Sequence, residues 1–462
     1  MLQSTEKETP KTDASELRTS KFEEMTTAPV EKLVSSLAVP AIVIMMVSSL
    51  YNMADTYFVG ALGTSATAAV GVSFSLMAVI QAVGFFFGHG AGNYISRALG
   101  AQDSSGAEIM ASTGFFSALS IGALISVGGS LFMEPLARTL GATETILPYA
   151  LDYLRFILLG SPFMMGSLML NNLLRYQGSA FLGMLGMVSG AVLNIGLDPL
   201  FIFVFGMGIT GAALATMISQ TLSCLLLFVI SRKGKETIRI SPRNFRPRPL
   251  LYGEITRGGA PSLLRQGTMS LAVIILNRMA GAYGDAAIAA ISIVTRVVML
   301  MNSAILGFGQ GFQPVCGFNY GARRYDRVKG AFWFCVRLTT VLLFLAALGS
   351  AIFAPRIIAL FRRDDPEVIR IGTLALRFQS CVVPLGGWIV LCNMMLQTMG
   401  RAVPASFLAF SRQGLFLIPI ALVMIPALGI LGIQLCTPIA ELCTFILALP
   451  LGIGALKRYL PT

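Results

Sequence analysis

Apolar runs of about 20 residues or more recur from Leu33 to Leu456, each long enough as a helix to cross a hydrocarbon core of roughly 30 Å. Stretches such as 222–230 and 339–353 are apolar on every side and lack the alternation of a barrel strand. In lipid, backbone polar groups must be paired within their own segment or in a closed barrel, so the pattern predicts helices. With Gly, Pro and charge as punctuation, the spans fall near 33–59, 66–95, 107–133, 147–174, 180–205, 209–231, 256–281, 288–318, 328–354, 368–397, 403–427 and 430–456. The expected fold is an all-α integral membrane protein with twelve transmembrane helices in two pseudo-symmetric six-helix bundles. One long polar connection, in which Pro242, Pro247 and Pro249 stop any helix from continuing, separates the sixth span from the seventh. The domain reading is a polar tail at 1–32, an amino-terminal lobe at 33–231, a basic linker at 232–255 and a carboxy-terminal lobe at 256–462.

The two halves resemble each other. At a constant offset Gly60, Gly63, Ala68, Ala69, Gly88, Gly90, Gly100 and Ala101 meet Gly281, Gly284, Ala289, Ala290, Gly309, Gly311, Gly321 and Ala322. Asn171 and Gly178 likewise meet Asn393 and Gly400, and Gly208, Gly211 and Thr216 meet Gly429, Gly432 and Thr437. Six spans per copy is an even number, so both copies enter the membrane in the same direction, related by an axis along its normal. A central cavity opened alternately to each side follows, which favours a transporter. The repeated glycines serve close helix packing or bending during gating.

Composition supports lipid as the solvent: 55% of residues are hydrophobic and 12% charged. The net charge of +12 lies in loops rather than on a nucleic-acid face. With an amino terminus in the cytoplasm, most Lys and Arg fall on the cytoplasmic side, so both termini are expected there, in a multi-pass protein of the inner or plasma membrane. The cluster Arg232, Lys233, Lys235, Arg239, Arg243, Arg246 and Arg248 is a topology signal or a stretch held near anionic headgroups. By the same reading Lys7, Lys235 and Arg324 are cytoplasmic while Gly206 and Asp285 lie near the outer face. The first 30 residues carry many Glu and Thr and no cleavable signal, and read as a flexible tail. Seven cysteines in apolar segments, without metal-ligand spacing, read as small buried thiols; no cofactor or metal is expected.

Of the 22 acidic residues, only Asp55, Asp198 and Glu441 lie deep within spans. Burying a carboxylate in a bilayer costs a few kcal/mol even on mild scales, so each needs a reason. Asn194 precedes Asp198 by one helical turn and shares its face, and Pro199 frees a backbone carbonyl nearby. Two carboxylates, an amide oxygen and a carbonyl suit sodium or a shared proton. The alternative places Asp55 at an interface and Asp198 in an Asp-Pro turn.

Here the resemblance becomes specific. The first span carries Tyr51-Asn-Met-Ala-Asp55-Thr-Tyr-Phe-Val-Gly60-Ala-Leu-Gly63, the fourth ends Arg175-Tyr-Gln-Gly178, and the fifth holds Leu193-Asn194-Ile-Gly-Leu-Asp198-Pro199. The eighth ends Gly309-Gln-Gly-Phe-Gln-Pro314-Val-Cys-Gly-Phe-Asn319-Tyr320-Gly321-Ala322. Together these resemble the multidrug and toxin extrusion (MATE) family, in its bacterial MepA-like and DinF-like branch. The resemblance implies twelve helices in two lobes and efflux of bulky, often cationic organic compounds in exchange for sodium or protons. It places the coupling-cation site on Asp55, Asn194, Asp198 and Thr216. NorM-like members carry acids in the seventh and tenth spans, where this chain has Arg265, Gln266, Asn277, Arg278 and Arg377 and no carboxylate, so coupling is expected in the amino lobe.

Glu441 either pairs with Arg412 on the preceding helix or attracts a cationic substrate. His89 meets Gln310 in the repeat and reads as a hydrogen-bonding position. Arg97, Arg175 and Arg401 at span ends read as anchors or gate contacts. Met53, Phe163, Met164, Met165, Met169, Gln177, Met299, Asn302, Met394, Met395 and Glu441 are candidates for a deformable substrate cavity, each with packing as its alternative. Expected partners are small organic molecules and the bilayer, with the protein a monomer and no nucleic acid bound. The rival within transport is a flippase for lipid-linked precursors, kept open by Arg265, Arg296 and Arg377. No Ser-His-Asp, paired-His or phosphate-loop constellation supports an enzyme, and no filter motif a channel.

Overall fold

The computed structural model describes residues 14–233, 238–362 and 365–461, and the chain is helical almost throughout. A short helix, α1 (Ala14–Thr27), precedes the first span, α2 (Val30–Gly60). The first half continues with α3 (Thr64–Gly100), α4 (Ser104–Leu131), the short helix α5 (Met133–Thr139), α6 (Leu147–Tyr176), α7 (Ala180–Pro199) and α8 (Gly208–Lys233). The second half runs α9 (Pro249–Gly281), α10 (Asp285–Gly321), α11 (Tyr325–Phe361), α12 (Pro366–Val382), α13 (Gly386–Thr398), α14 (Ala402–Phe410), α15 (Ile418–Leu428) and α16 (Ile430–Arg458). A 3-10 turn at Val383–Leu385 joins α12 to α13 as one span, and a π-helical segment at Ser411–Leu417 joins α14 to α15 as another.

Among the described residues eleven of these spans are long and apolar enough to cross a bilayer. The twelfth, α9, has the length but carries Glu254, Arg257, Arg265 and Arg278 along it. Such a helix sits at membrane depth only where its polar face meets protein or a cavity.

The repeat is written in the backbone as well as in the letters. Left-handed residues recur at matched turns: Gly63 and Gly284 at φ 116° and 95°, Gln102 and Arg323 at 61° and 58°, and Gly178 and Gly400 at 84° and 75°. Each half also has one central helix. In α6 72% of the best membrane-spanning window is buried and in α12–α13 67%, against at most 50% in the other apolar spans. Around α6, Tyr153, Leu154, Leu158, Met165 and Met169 form the core, and Phe115 stacks on Phe228. Around α13, Phe312, Phe332 and Trp388 play that part.

The halves meet chiefly where α2 packs on α10 and α9 on α3, at the end carrying Arg97, Arg175 and Arg324. This seam is tight enough to be set by glycine. A Cβ on Gly100 would stand 2.1 Å from the Phe318 carbonyl oxygen, and one on Gly321 2.1 Å from that of Arg97. Polar side chains stitch it: His89 Nδ1 lies 2.6 Å from Ser262 Oγ, which Gln397 of the same half as Ser262 also reaches at 2.8 Å, and Thr398 donates to Asn93 at 2.8 Å. Arg97 donates to the Thr398 carbonyl at 2.6 Å and pairs with Glu254 at 3.0 Å. Arg175 donates to Asn172 and to the Gln310 carbonyl, and Arg401 stacks over Tyr459. His89 is therefore a hydrogen-bonding position, Arg97 and Arg175 are seam contacts, and Arg401 is an anchor.

Several sequence expectations change. Residues 14–27 of the expected flexible tail are helical, and carbonyls at and just beyond the end of α1 are capped from the second half: Asn319 donates to Met25, Arg324 to Thr26 and Arg327 to Ala28. The expected linker is shorter, because α9 starts at Pro249, where proline suits the first helical turn. Lys7 and Lys235 lie outside the described residues. Cys381 is exposed on the outer surface of α12 rather than buried; most other thiols are enclosed.

Candidate functional site

The carboxylate of Asp55 projects from α2 five residues before its end, and α7 supplies Asn194 and Asp198 one turn apart. All three are buried, Asp55 at 8% exposure and Asp198 at 0%. Asn194 Nδ2 donates to Asp198 Oδ1 and to Thr216 Oγ1 on α8, both at 3.3 Å. The reversed amide would turn an oxygen toward the carboxylate, so Asp198 dictates this orientation. It leaves Asn194 Oδ1, Asp198 Oδ2 and Asp55 Oδ1 enclosed with no hydrogen-bond partner among the described residues. The two carboxylates lie within electrostatic range of each other.

Buried acceptors are ordinarily paired, and each orphan costs about 1–3 kcal/mol. Three such acceptor oxygens, from two elements, stand without a donor among the described residues. Pro199 has no N–H to return to the Ile195 carbonyl, and the chain beyond it, Leu200–Val204, is π-helical. Such distortions re-aim backbone at functional sites.

Two tyrosines complete the surroundings. Tyr51, one turn before Asp55, lies within electrostatic range of both carboxylates, as does the buried Tyr153 of α6, whose hydroxyl is against Thr216. Neither is among the site residues expected from the sequence. Tyr51 stood in the quoted motif at helical spacing from Asp55; nothing local marks Tyr153, which arrives by tertiary packing alone.

In the second half Arg412 donates to Glu441 at 2.5 Å, and the Glu441 side chain is only 6% exposed. The pairing with the preceding helix accounts for this acid, because truncating one partner of a buried ion pair typically costs about 3–5 kcal/mol. The π-helical segment Ser411–Leu417 carries Arg412.

A model of the MatE family matches residues 40–200 and again 261–423, one stretch in each half. The chain belongs to the MatE family. It is therefore a transporter rather than an enzyme. This MatE chain is 29% identical to the multidrug export protein MepA of Staphylococcus haemolyticus, over 90% of the chain and 92% of that protein. MepA of Staphylococcus aureus strain MSSA476 is 28% identical over 90% and 91%. A crystal structure of MATE in complex with MaL6 superposes at a TM-score of 0.90 with 28% identity, covering 95% of this chain and 99% of that one. A transporter of the MOP superfamily from Pyrococcus furiosus, described as having a binding pocket of reverse polarity, superposes at 0.87 with 29% identity, covering 94% and 98%.

Among the cavity candidates the MatE structure makes a division. Met53 and Met299 are 68% and 58% exposed, Phe163 is exposed and Asn302 half-buried. Met164, Met165 and Met169 are instead packed in the first-half core, and Met394 and Met395 in the second. Gln177 is buried and accepts from the Ile238 N–H at 2.9 Å. These six present no surface in this conformation, because α6 and α13 are the central helices of their halves.

Proposed function

We propose that the protein is a secondary active multidrug exporter of the cell membrane, exchanging sodium or protons for bulky, often cationic organic compounds. The observation that carries this reading is the set of unpartnered oxygens of Asp55, Asn194 and Asp198, with Thr216 beside them, in a chain of the MatE family. A coupling cation that fills this pocket supplies what those acceptors lack. The names of the MepA relatives support organic drugs as the other cargo. Exchange requires cation and drug to favour opposite conformations, since a ligand bound equally to both shifts nothing.

Reconstitution tests the proposal. Proteoliposomes loaded with a lipophilic cationic dye are expected to release it under an imposed sodium or proton gradient, and the gradient that works identifies the ion. Dye that moves under neither gradient, in vesicles that flip a lipid-linked substrate, would replace the exporter by the flippase. That rival draws on Arg265, whereas Arg296 and Arg377 are exposed and Arg377 is turned onto the Ala351 carbonyl of α11.

Orientation follows from the basic loops. Cysteine introduced at Gly206 is expected to react with an impermeant maleimide added to intact cells, and cysteine at Arg324 only after permeabilisation. The reverse pattern would invert the topology.

A further inference from the structure

Ala28 and Pro29 interrupt the helix between α1 and α2, with Pro29 extended at ψ 129°, so α1 is a separate element hung from the first span. A helix of 14 residues is marginal by itself in water, and its place depends on what it touches. Four successive carbonyls at its end are taken by the second half. Asn319 Nδ2 donates to Met25 at 3.1 Å, Arg324 Nη1 to Thr26 at 2.9 Å, and Arg327 to Thr27 at 3.5 Å and to Ala28 at 2.5 Å. The two guanidiniums also meet the negative end of the helix dipole.

Another side of α1 rests on the first half. A Cβ on Gly178, in the turn between α6 and α7, would stand 3.0 Å from both Lys21 Cε and Met25 Sδ. Met25 is fully buried, in one apolar cluster with Ala180 of α7 and with Phe312, Cys316 and Phe318 of α10. The repeat does not call for this arrangement. At the matching turn of the second half, Gly400 is met by Arg97 of α3, whose Cζ lies 3.4 Å from the place of a Cβ. The segment ahead of α9, which corresponds to α1, lies on α4 and Gln177 instead, through Ile238, Ser241 and Arg246.

We propose that α1 is a strap that holds this end of the transporter shut. Opening parts the α6–α7 turn of the first half from the α10–α11 turn of the second, and α1, which touches both, cannot keep both. Ala28 and Pro29 give it the joint on which to let go. The strap needs only that the halves separate here, whatever the cargo. Release and opening share one coupling free energy, so what lifts α1 favours the open end and what opens the end frees α1 by the same factor.

The test uses the full chain in nanodiscs under reducing conditions, with N-ethylmaleimide and mass spectrometry to follow each thiol. Native Cys316, fully buried in the seam, reports opening, and Met25→Cys reports release of the strap. Among the described residues the one hydrogen bond of Arg324 is to Thr26. Arg324→Ala is therefore expected to speed alkylation at both thiols by about fivefold, the weight of one exposed hydrogen bond, and Arg324→Lys by less. Arg323→Gln, which places at this left-handed position the residue type of its repeat partner Gln102, is the control and leaves both rates unchanged. Gly321→Ala acts on the seam and not on α1, and is expected to expose Met25→Cys as well.

A faster Met25→Cys in Arg324→Ala with Cys316 as slow as before would show that α1 docks without holding anything shut, and would overturn the inference. Unchanged rates at both thiols in that variant would do the same. So would a Met25→Cys thiol that stays protected in Gly321→Ala after Cys316 has become reactive, an outcome that needs no substitution at Arg324.

Discussion

Asp198→Asn is expected to reduce gradient-driven export to the level of protein-free vesicles while the protein expresses and folds normally. Asparagine keeps the volume and one acceptor oxygen but removes the charge and the proton site, in a pocket where Asp198 Oδ2 has no donor to lose. Removing an uncompensated buried charge relieves a desolvation cost, so Tm should stay level or rise. Asp55→Asn is expected to act in the same way from the facing helix. Because both acids serve one pocket, the double variant should export no less than either single one, a strongly non-additive result. Calorimetric titration with sodium and proton-uptake measurements check the pocket directly. Full coupled export by Asp198→Asn would leave the orphaned oxygens without a role.

The second large effect belongs to the seam. Gly321→Ala places a methyl group 2.1 Å from the Arg97 carbonyl oxygen, and Gly100→Ala places one 2.1 Å from that of Phe318. Both obstacles are backbone, so the helices themselves must separate. Overpacking of this kind costs about 1–3 kcal/mol, and here the cost falls on the closed arrangement of this end alone. A shift of that size changes the open-to-closed ratio by roughly fivefold to a hundredfold and should lower export accordingly. Alanine is the better helix former, so each helix should survive the change. Cys316, fully buried in the closed seam, reports the outcome: its alkylation in inside-out vesicles should accelerate in both variants. Normal export with a protected Cys316 would show that the seam accommodates the extra methyl groups.

How much of this was legible in the letters depends on the kind of contact. The spans were, because lipid leaves a helix no alternative and Gly, Pro and charge mark its ends. Asp55, Asn194 and Asp198 were, because acids in apolar runs are costly enough to stand out and helical spacing puts Asn194 and Asp198 on one face, whereas Thr216 came from the family resemblance alone. Arg412 and Glu441 were for the same reason. Tyr153 was not, since a tyrosine on a mostly buried helix looks like any other core residue until α2 and α7 are brought against it. The methionines show the limit most clearly. A span that is apolar on every side carries no amphipathic stripe, so nothing in α6 or α13 told Met165 or Met395, both in the core, from a residue facing a cavity.

The glycine seam also bears on leakage. An exchanger works only if the ion it couples to finds no path of its own, and the membrane potential drives each charge with about 2.3 kcal/mol per 100 mV. Where α3 meets α9 and α10, carbonyl oxygens occupy the places that side chains would take: a Cβ on Gly90 would stand 2.3 Å from the Ile255 oxygen and one on Gly259 2.3 Å from that of Phe86. Backbones in such contact leave no room for a water molecule between them at these crossings. The same absence of side chains that lets the halves approach thus closes these crossings to water and to the protons it carries.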